Sequence, residues 1–226
     1  MEENKRNNIK KFNHWLFDLD NTLYFATSGV FDQIYKKMGE FISKHEKVSL
    51  QEAKKLQKKY FIQNGTTLRG LMIHHHVDPK KFLDYVHDIN FDIIKPNKDL
   101  NSSLKKINGK KIIFTNADLS YVEKVLDKLD LSETFDDIYD IERMNFKPKP
   151  NIETYRNLIN FYSLKTKETI FFDDIPKNLL PAAKLGITTV HVYNKYLDKE
   201  LNCSSKKINY MTKNLQKWLE KWILKN

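Results

Sequence analysis

Four short apolar runs, each leading into polar residues, constrain this chain more than any other feature. They are His14-Trp15-Leu16-Phe17, Lys111-Ile112-Ile113-Phe114, Thr169-Ile170-Phe171-Phe172 and Thr188-Thr189-Val190-His191-Val192. A strand with one wet face alternates apolar and polar side chains. A strand that is apolar throughout has both faces covered, as in a parallel sheet held between helices. Helical spacing follows the later runs, over 120–129, 151–161 and 178–185, the last stopped by Gly186. Strand and helix in repetition give an α/β fold, a three-layer Rossmann-like core whose functional site lies at the carboxyl ends of the strands.

Residues 26–97 break that rhythm. Phe31, Ile34, Met38, Phe41 and Ile42 recur at helical spacing, and Ser49 with Glu52 reads as a capping box opening a second helix. Asp78-Pro79 supplies an N-cap and an N1 proline before Phe82, Leu83 and Val86. The expected organisation is an α/β core built from 1–25 and 98–226, with an all-helical cap over 26–97. Hydrophobic residues make up 40% and aromatics 12% of the 226, enough for a sizeable buried core. One cysteine, Cys203, excludes an intramolecular disulfide and fits a reducing compartment. No apolar run approaches the roughly 20 residues of a membrane helix, and the start MEENKRNNIKKF has no apolar signal core. The expectation is a soluble, cytoplasmic protein without a membrane partner.

The chemistry-bearing residues gather where the apolar runs end. Asp18 and Asp20 follow the first run, and two carboxylates two residues apart make an anionic spot that needs a cation. Hard oxygen donors with no cysteine nearby favour Mg²⁺. Thr115 and Asn116 follow the second run, and Lys147-Pro148-Lys149-Pro150 forms a proline-fixed loop. Asp173 and Asp174 follow the third, and desolvating two adjacent acids is costly without a compensating cation or donor.

A carboxylate pair, a threonine, a lysine and a second carboxylate pair in that order resemble the haloacid dehalogenase superfamily of aspartyl-phosphate phosphotransferases. The helical insertion after the first motif matches that superfamily's C1-type cap. FDLDNTLY (17–24), SGVFDQIYKKMGEFI (28–42), GTTLRGLMIHHHVDPKKFLDYVHDI (65–89), KPKPNIETY (147–155) and FFDDIPKNLLPAAKLG (171–186) look like its pyrimidine 5′-nucleotidase branch. Where that branch often has Glu-Asp, this chain has Asp173-Asp174. Between the two candidate lysines, the family spacing to an aromatic (Tyr155) selects Lys149.

The resemblance implies roles residue by residue. Asp18 would be the nucleophile, and Asp20 the general acid and then base. Thr115 and Lys149 would hold the phosphoryl oxygens, with Asn116 beside them. Asp18, the backbone carbonyl of Asp20, and Asp174 would ligate Mg²⁺, with Asp173 supporting. Arg69 and His75 are the cap residues expected to touch substrate. The expected activity is hydrolysis of a small-molecule phosphomonoester, a nucleoside 5′-monophosphate and in particular a pyrimidine one. Another small phosphate, such as a sugar phosphate or phosphoglycolate, is the alternative. The net charge of +10, from 39 Lys and Arg against 29 Asp and Glu, raises a nucleic-acid-binding alternative. Four clustered aspartates argue against a polyanion partner. The histidines His74, His75 and His76 cannot converge on one ion, because successive helical positions lie about 100° apart. At the far end, Leu215, Trp218, Leu219, Trp222 and Ile223 form an apolar helical stripe expected to pack on the core.

Overall fold

The computed structural model describes residues 12–193 and 207–224. Cys203 lies outside the described residues. Six strands form one sheet: β1 (His14–Phe17), β2 (Lys110–Phe114), β3 (Asp137–Tyr139), β4 (Thr169–Asp173), β5 (Thr188–Val192) and β6 (Tyr210–Thr212). Their order is β3-β2-β1-β4-β5-β6, and every pairing is parallel. The four apolar runs are β1, β2, β4 and β5, as the sequence leads one to expect. The two strands absent from that reading, β3 and β6, are three residues each and lie at the sheet edges. A half-exposed edge strand needs no continuous apolar run, so it leaves no such signature.

Both sheet faces are covered, which accounts for the unbroken apolar runs. Trp15, Phe17 and Phe172 share one face; the Phe17 and Phe172 rings stack at 4.9 Å. Trp218 crosses Phe172 edge-on at 5.2 Å, carried by the C-terminal helix Leu215–Leu219. The apolar stripe there does pack on the core, and Trp218 and Leu219 are buried. Leu16, Phe114 and Phe171 face the opposite way, and Tyr155 of the helix Ile152–Tyr162 closes on Phe114 at 5.2 Å. Helices over both faces of the sheet give the three layers.

Between β1 and β2 the chain forms α1 (Val30–Glu46), α2 (Leu50–Asn64), α3 (Thr67–His75) and α4 (Pro79–Val86). The expected caps are present. Ser49 Oγ accepts from the Glu52 N–H while the Glu52 carboxylate accepts from the Ser49 N–H, and Asp78 accepts from the Lys81 N–H. α1 packs against α2 and α4, and α2 against α3. Next come α5 (Lys98–Lys105), then α6 (Leu119–Leu129) after β2, α7 (Ile152–Tyr162) before β4, α8 (Pro176–Lys184) after it, and α9 (Leu215–Leu219) at the end. Among the described residues no helix is long and apolar enough to cross a membrane.

The close approach of α2 and α3 depends on Gly70. A Cβ at that position would overlap the Cβ and ring of Tyr60. In an open helix Ala exceeds Gly by about 1 kcal/mol. Here overpacking reverses the sign, and Gly70→Ala is expected to destabilise the protein by about 1–3 kcal/mol. Urea unfolding of the variant beside the parent measures this, and a stabilised Gly70→Ala protein would contradict the packing.

Candidate active site

The parallel register lines up the strand ends. Phe17 pairs with Ile113 on one side and Phe172 on the other, so Asp18, Phe114-Thr115 and Asp173-Asp174 emerge at one edge of the sheet. Reading along the order β3-β2-β1-β4-β5-β6, connections run one way from β1 and the other way from β4. The crevice between those two strands is the topological switch point of an open α/β sheet. Asp18 stands at one side of it, Asp173 and Asp174 at the other. The Asp18 N–H donates to the Phe172 carbonyl at 2.9 Å, which continues the ladder one residue past β1.

Lys149 occupies the centre of this cluster and is fully buried. Its Nζ donates to Asp18 Oδ1 at 2.8 Å, to Asp173 Oδ2 at 2.7 Å and to the Phe114 carbonyl at 2.7 Å, engaging all three ammonium protons. The rings of Phe114 and Phe171 lie 5.0 and 5.2 Å from it. Burial would lower the Lys149 pKa, but Asp173 and Asp18 outweigh it and hold the group above its usual value. Asn116 fixes the lysine by its backbone: Oδ1 accepts from the Lys149 N–H at 2.9 Å, and Nδ2 donates to the Lys149 carbonyl at 3.3 Å. The expected substrate-facing Asn116 is therefore engaged at both ends of its amide. Lys147, the other lysine of the loop, is exposed.

Three carboxylates face one spot. Asp18, Asp173 and Asp174 each offer an oxygen, and these oxygens lie within 4.8 Å of one another. Burial, partly countered by Lys149, raises the Asp18 pKa to about 6. Burial and then the neighbouring Asp18 and Asp173 push Asp174 well above the usual range. Asp173 is held by Lys149, by the Ile175 N–H and by Asn178 Nδ2 at 3.1 Å. Asp174 Oδ2, by contrast, is buried with no hydrogen-bond partner. A clustered, desolvated acceptor set of this kind fits a hard divalent cation.

Asp20 points elsewhere. Both Tyr24 and Tyr121 donate phenol protons to the same oxygen, Asp20 Oδ1, at 2.5 and 2.7 Å. Burial and the Asp18 charge raise the Asp20 pKa, while the two phenols act in the opposite sense. Tyr121 lies in α6 and stacks on His87, 4.2 Å between centroids. His87 in turn reaches Asp118 at 2.5 Å, and Asp118 also caps α6 through the Tyr121 N–H. His87 belongs to the helical insertion, so this chain of contacts joins the insertion to the acid. The sequence pattern placed Tyr24 only as part of a motif and did not single out Tyr121, because 97 positions separate them and only the fold brings them together.

The remaining expected residues lie apart. Thr115 is buried at the β2 tip, its Oγ1 accepting from the Ala117 N–H. Arg69, in α3, lines a cleft between the insertion and the loop that carries Lys149. His75 is not gathered with the carboxylates: Nδ1 meets Glu46 at 2.6 Å and Nε2 meets Tyr60 at 2.5 Å. His74 stacks on Tyr60 and His76 caps α3, so the three histidines do not converge.

The family model for haloacid dehalogenase-like hydrolases matches residues 15–192 of the chain. Phosphate metabolism protein 8 of Saccharomyces cerevisiae is 24% identical over 211 residues, 85% of this chain and 65% of that protein. The chain thus spans just under two-thirds of the length of this curated relative. A haloacid dehalogenase-superfamily phosphatase from Thermococcus onnurineus superposes with a TM-score of 0.61 at 16% identity, covering 95% of this chain and 98% of the other. An L-2-haloacid dehalogenase from Xanthobacter autotrophicus, solved with chloropropionic acid covalently bound, superposes at 0.57 with 12% identity, over 92% and 97%. At these identities the likeness to both structures is one of fold.

Removing the buried cation tests the electrostatics of the cluster. Lys149→Met is expected to cost about 3–5 kcal/mol near pH 7 in metal-free protein, because it leaves Asp18 and Asp173 facing each other uncompensated. The loss should shrink on acidification. A carboxyl whose folded pKa lies above its unfolded value binds its proton more tightly when folded, so stability rises as pH falls through that value. Denaturant unfolding in EDTA at pH 7.5 and pH 5 reads both effects, and an equal loss at the two pH values would contradict them.

Proposed function

The chain belongs to the haloacid dehalogenase-like hydrolase family, and from that premise we propose that it hydrolyses phosphomonoesters through an aspartyl-phosphate, with nucleoside 5′-monophosphates, pyrimidine ones in particular, as substrates. One observation carries the choice of phosphatase over dehalogenase. The Asp20 carboxyl is held by two phenols on a single oxygen, and burial raises its pKa. The phenols aim the carboxyl, and burial with the Asp18 charge outweighs their opposite pull and raises its pKa. That direction suits a general acid, which displacement of halide does not need. The nucleotide reading is supported by the resemblance of the insertion segments 28–42 and 65–89 to the pyrimidine 5′-nucleotidase branch.

In this reading an Asp18 oxygen attacks phosphorus as the ester P–O bond breaks, and the proton of Asp20 passes to the leaving alkoxide. The Asp20 carboxylate then takes a proton from water, whose oxygen attacks the acyl phosphate and releases inorganic phosphate and a free Asp18. Splitting one displacement into two lowers each barrier. Lys149 offsets the charge of Asp18 and Asp173, and Thr115 stands at the adjoining strand tip to meet the phosphoryl oxygens. Asp18, Asp174 and the Asp20 backbone carbonyl are the groups that would hold Mg²⁺, with Asp173 behind them. The cation supplies charge neutralisation for the phosphoryl oxygens, which makes approach of an anionic phosphate to a carboxylate feasible. Helices α1–α4 would act as the cap over this edge, excluding water and selecting the leaving group.

Two measurements test the reading. Phosphate release from p-nitrophenyl phosphate should require Mg²⁺, stop on chelation, and fall at least about 10³-fold in Asp18→Asn. Full activity in that variant would sink the mechanism. A panel of 5′-monophosphates and sugar phosphates then tests the substrate, and UMP and CMP no better than sugar phosphates would remove the nucleotide assignment.

The phenol pair gives a separate prediction. Tyr121→Phe removes one of two bonds that aim Asp20, whose protonation matters most for poor leaving groups. Its turnover of alkyl phosphates should drop about tenfold, part of the roughly 10²–10⁴ a placed acid contributes. Turnover of p-nitrophenyl phosphate should change little. Equal losses for both esters would mean that the phenol does not act through the acid.

A further inference from the structure

The stretch of chain that leads out of the insertion docks along α6. His87, the C-cap of α4, reaches Asp118 at 2.5 Å. Further on, Lys124 lies over the Phe91 ring at 5.7 Å, and Lys128 pairs with Asp92 at 2.8 Å. Two residues of this stretch pack on Tyr121. The His87 ring lies 4.2 Å from it, nearly parallel at 22°, and Phe91 approaches the same ring at 5.9 Å with a tilt of 49°. Tyr121 thus belongs to the core by its backbone and meets the insertion by its ring.

That arrangement matters because of what the phenol does. The second side-chain torsion of a tyrosine is broad, so its neighbours rather than its rotamer preference decide where the phenol points. Here it points at Asp20 Oδ1, 2.7 Å away, beside the Tyr24 phenol on the same oxygen. An oxygen that accepts two phenol protons is the carbonyl oxygen of the neutral acid, and the acidic proton then sits on Oδ2. The carboxyl torsion of Asp20 is broad as well, so loss of a phenol lets the two oxygens change places.

His87 is itself anchored. Asp118 Oδ2 faces its Nδ1, while Asp118 Oδ1 accepts from the Tyr121 N–H at 3.0 Å. One side chain therefore caps α6 and holds the ring that covers Tyr121. Burial raises the Asp118 pKa, but the His87 contact and the Tyr121 N–H outweigh it and hold the group below the usual carboxylate range. An ionised carboxylate only accepts, so Nδ1 carries the hydrogen between them.

We infer that His87 is a positioning residue for the acid: its ring, anchored on Asp118, holds the Tyr121 ring at the angle that keeps the phenol on Asp20 Oδ1. The inference rests on the phosphatase reading for the role of Asp20, while the chain of contacts does not. Asp18 is placed by the sheet alone. The aim of Asp20 is shared between the core and a residue of the insertion that touches neither the acid nor the carboxylate cluster.

The test compares the full-chain parent with His87→Ala and with His87→Gln, which keeps a side-chain amide for Asp118 but no ring. The first measurement needs no substrate. In protein isotope-labelled at the tyrosine phenol carbon, the Tyr121 resonance, identified by its loss in Tyr121→Phe, should shift in both variants. A Tyr121 resonance unmoved in both would overturn the inference, whatever the protein hydrolyses. Kinetics with Mg²⁺ give the second measurement. Turnover of an alkyl phosphate should fall about tenfold in each variant, with KM and the turnover of p-nitrophenyl phosphate little changed. In a Tyr121→Phe background His87→Ala should add nothing for the alkyl ester, because residues that act through one contact are not additive. Equal losses for the two esters, or losses that multiply in the double variant, would overturn the inference. A parent inert toward every phosphomonoester would instead remove the phosphatase reading, and the Tyr121 resonance alone would then decide whether His87 holds the phenol.

Discussion

Everything at the carboxylate-lined edge of the sheet depends on one buried ammonium. Lys149 lies with no solvent exposure between Asp18 and Asp173, and its third proton goes to a β2 carbonyl. Without it, three carboxylates would converge in a low-dielectric space, a condition that protonates them or opens the fold. With it, Asp173 is fixed as a neutralised, fully bonded group, while Asp174 keeps an unpartnered oxygen. The two adjacent acids, nearly identical in sequence context, are thus given different surroundings by a single cation. Asn116 completes the arrangement, because the lysine is placed by its backbone as well as by its charge.

The sheet converts this local chemistry into a site. Four apolar runs alone specify that β1 and β4 are interior strands, and the reversal of connection between them opens a crevice at their carboxyl ends. Stacked rings on one face and edge-to-face rings on the other hold the register that brings Asp18 and Asp173 to the same height. A slip of one residue would turn Asp18 from that edge and take Phe17 off the face where it stacks on Phe172.

The apolar runs, the caps of α2 and α4, and the acids and lysine of the edge were legible in the sequence because each is a local signal: composition over a few residues, or a spacing of three. β3 and β6 were not, since three-residue edge strands bury too little to leave a pattern. Lys149 could be chosen over Lys147 only by its spacing to Tyr155, and the fold separates them cleanly, one buried and one exposed. The partners of Asp20 were out of reach, because Tyr121 looks like any aromatic on the inner face of a helix until β1 and α6 are set side by side. His75 shows the converse. Expected as a substrate contact, it has both ring nitrogens accounted for by Glu46 and Tyr60.

The insertion leaves the core directly after β1 and returns before β2, two strands that are hydrogen-bonded neighbours. The sheet therefore closes across the point of departure, and no strand pairing depends on what lies between. Helices α1–α4 can lengthen, shorten or be exchanged without moving Asp18 relative to Thr115. Change in that stretch of chain and change at the strand ends that carry the acids are therefore structurally separable.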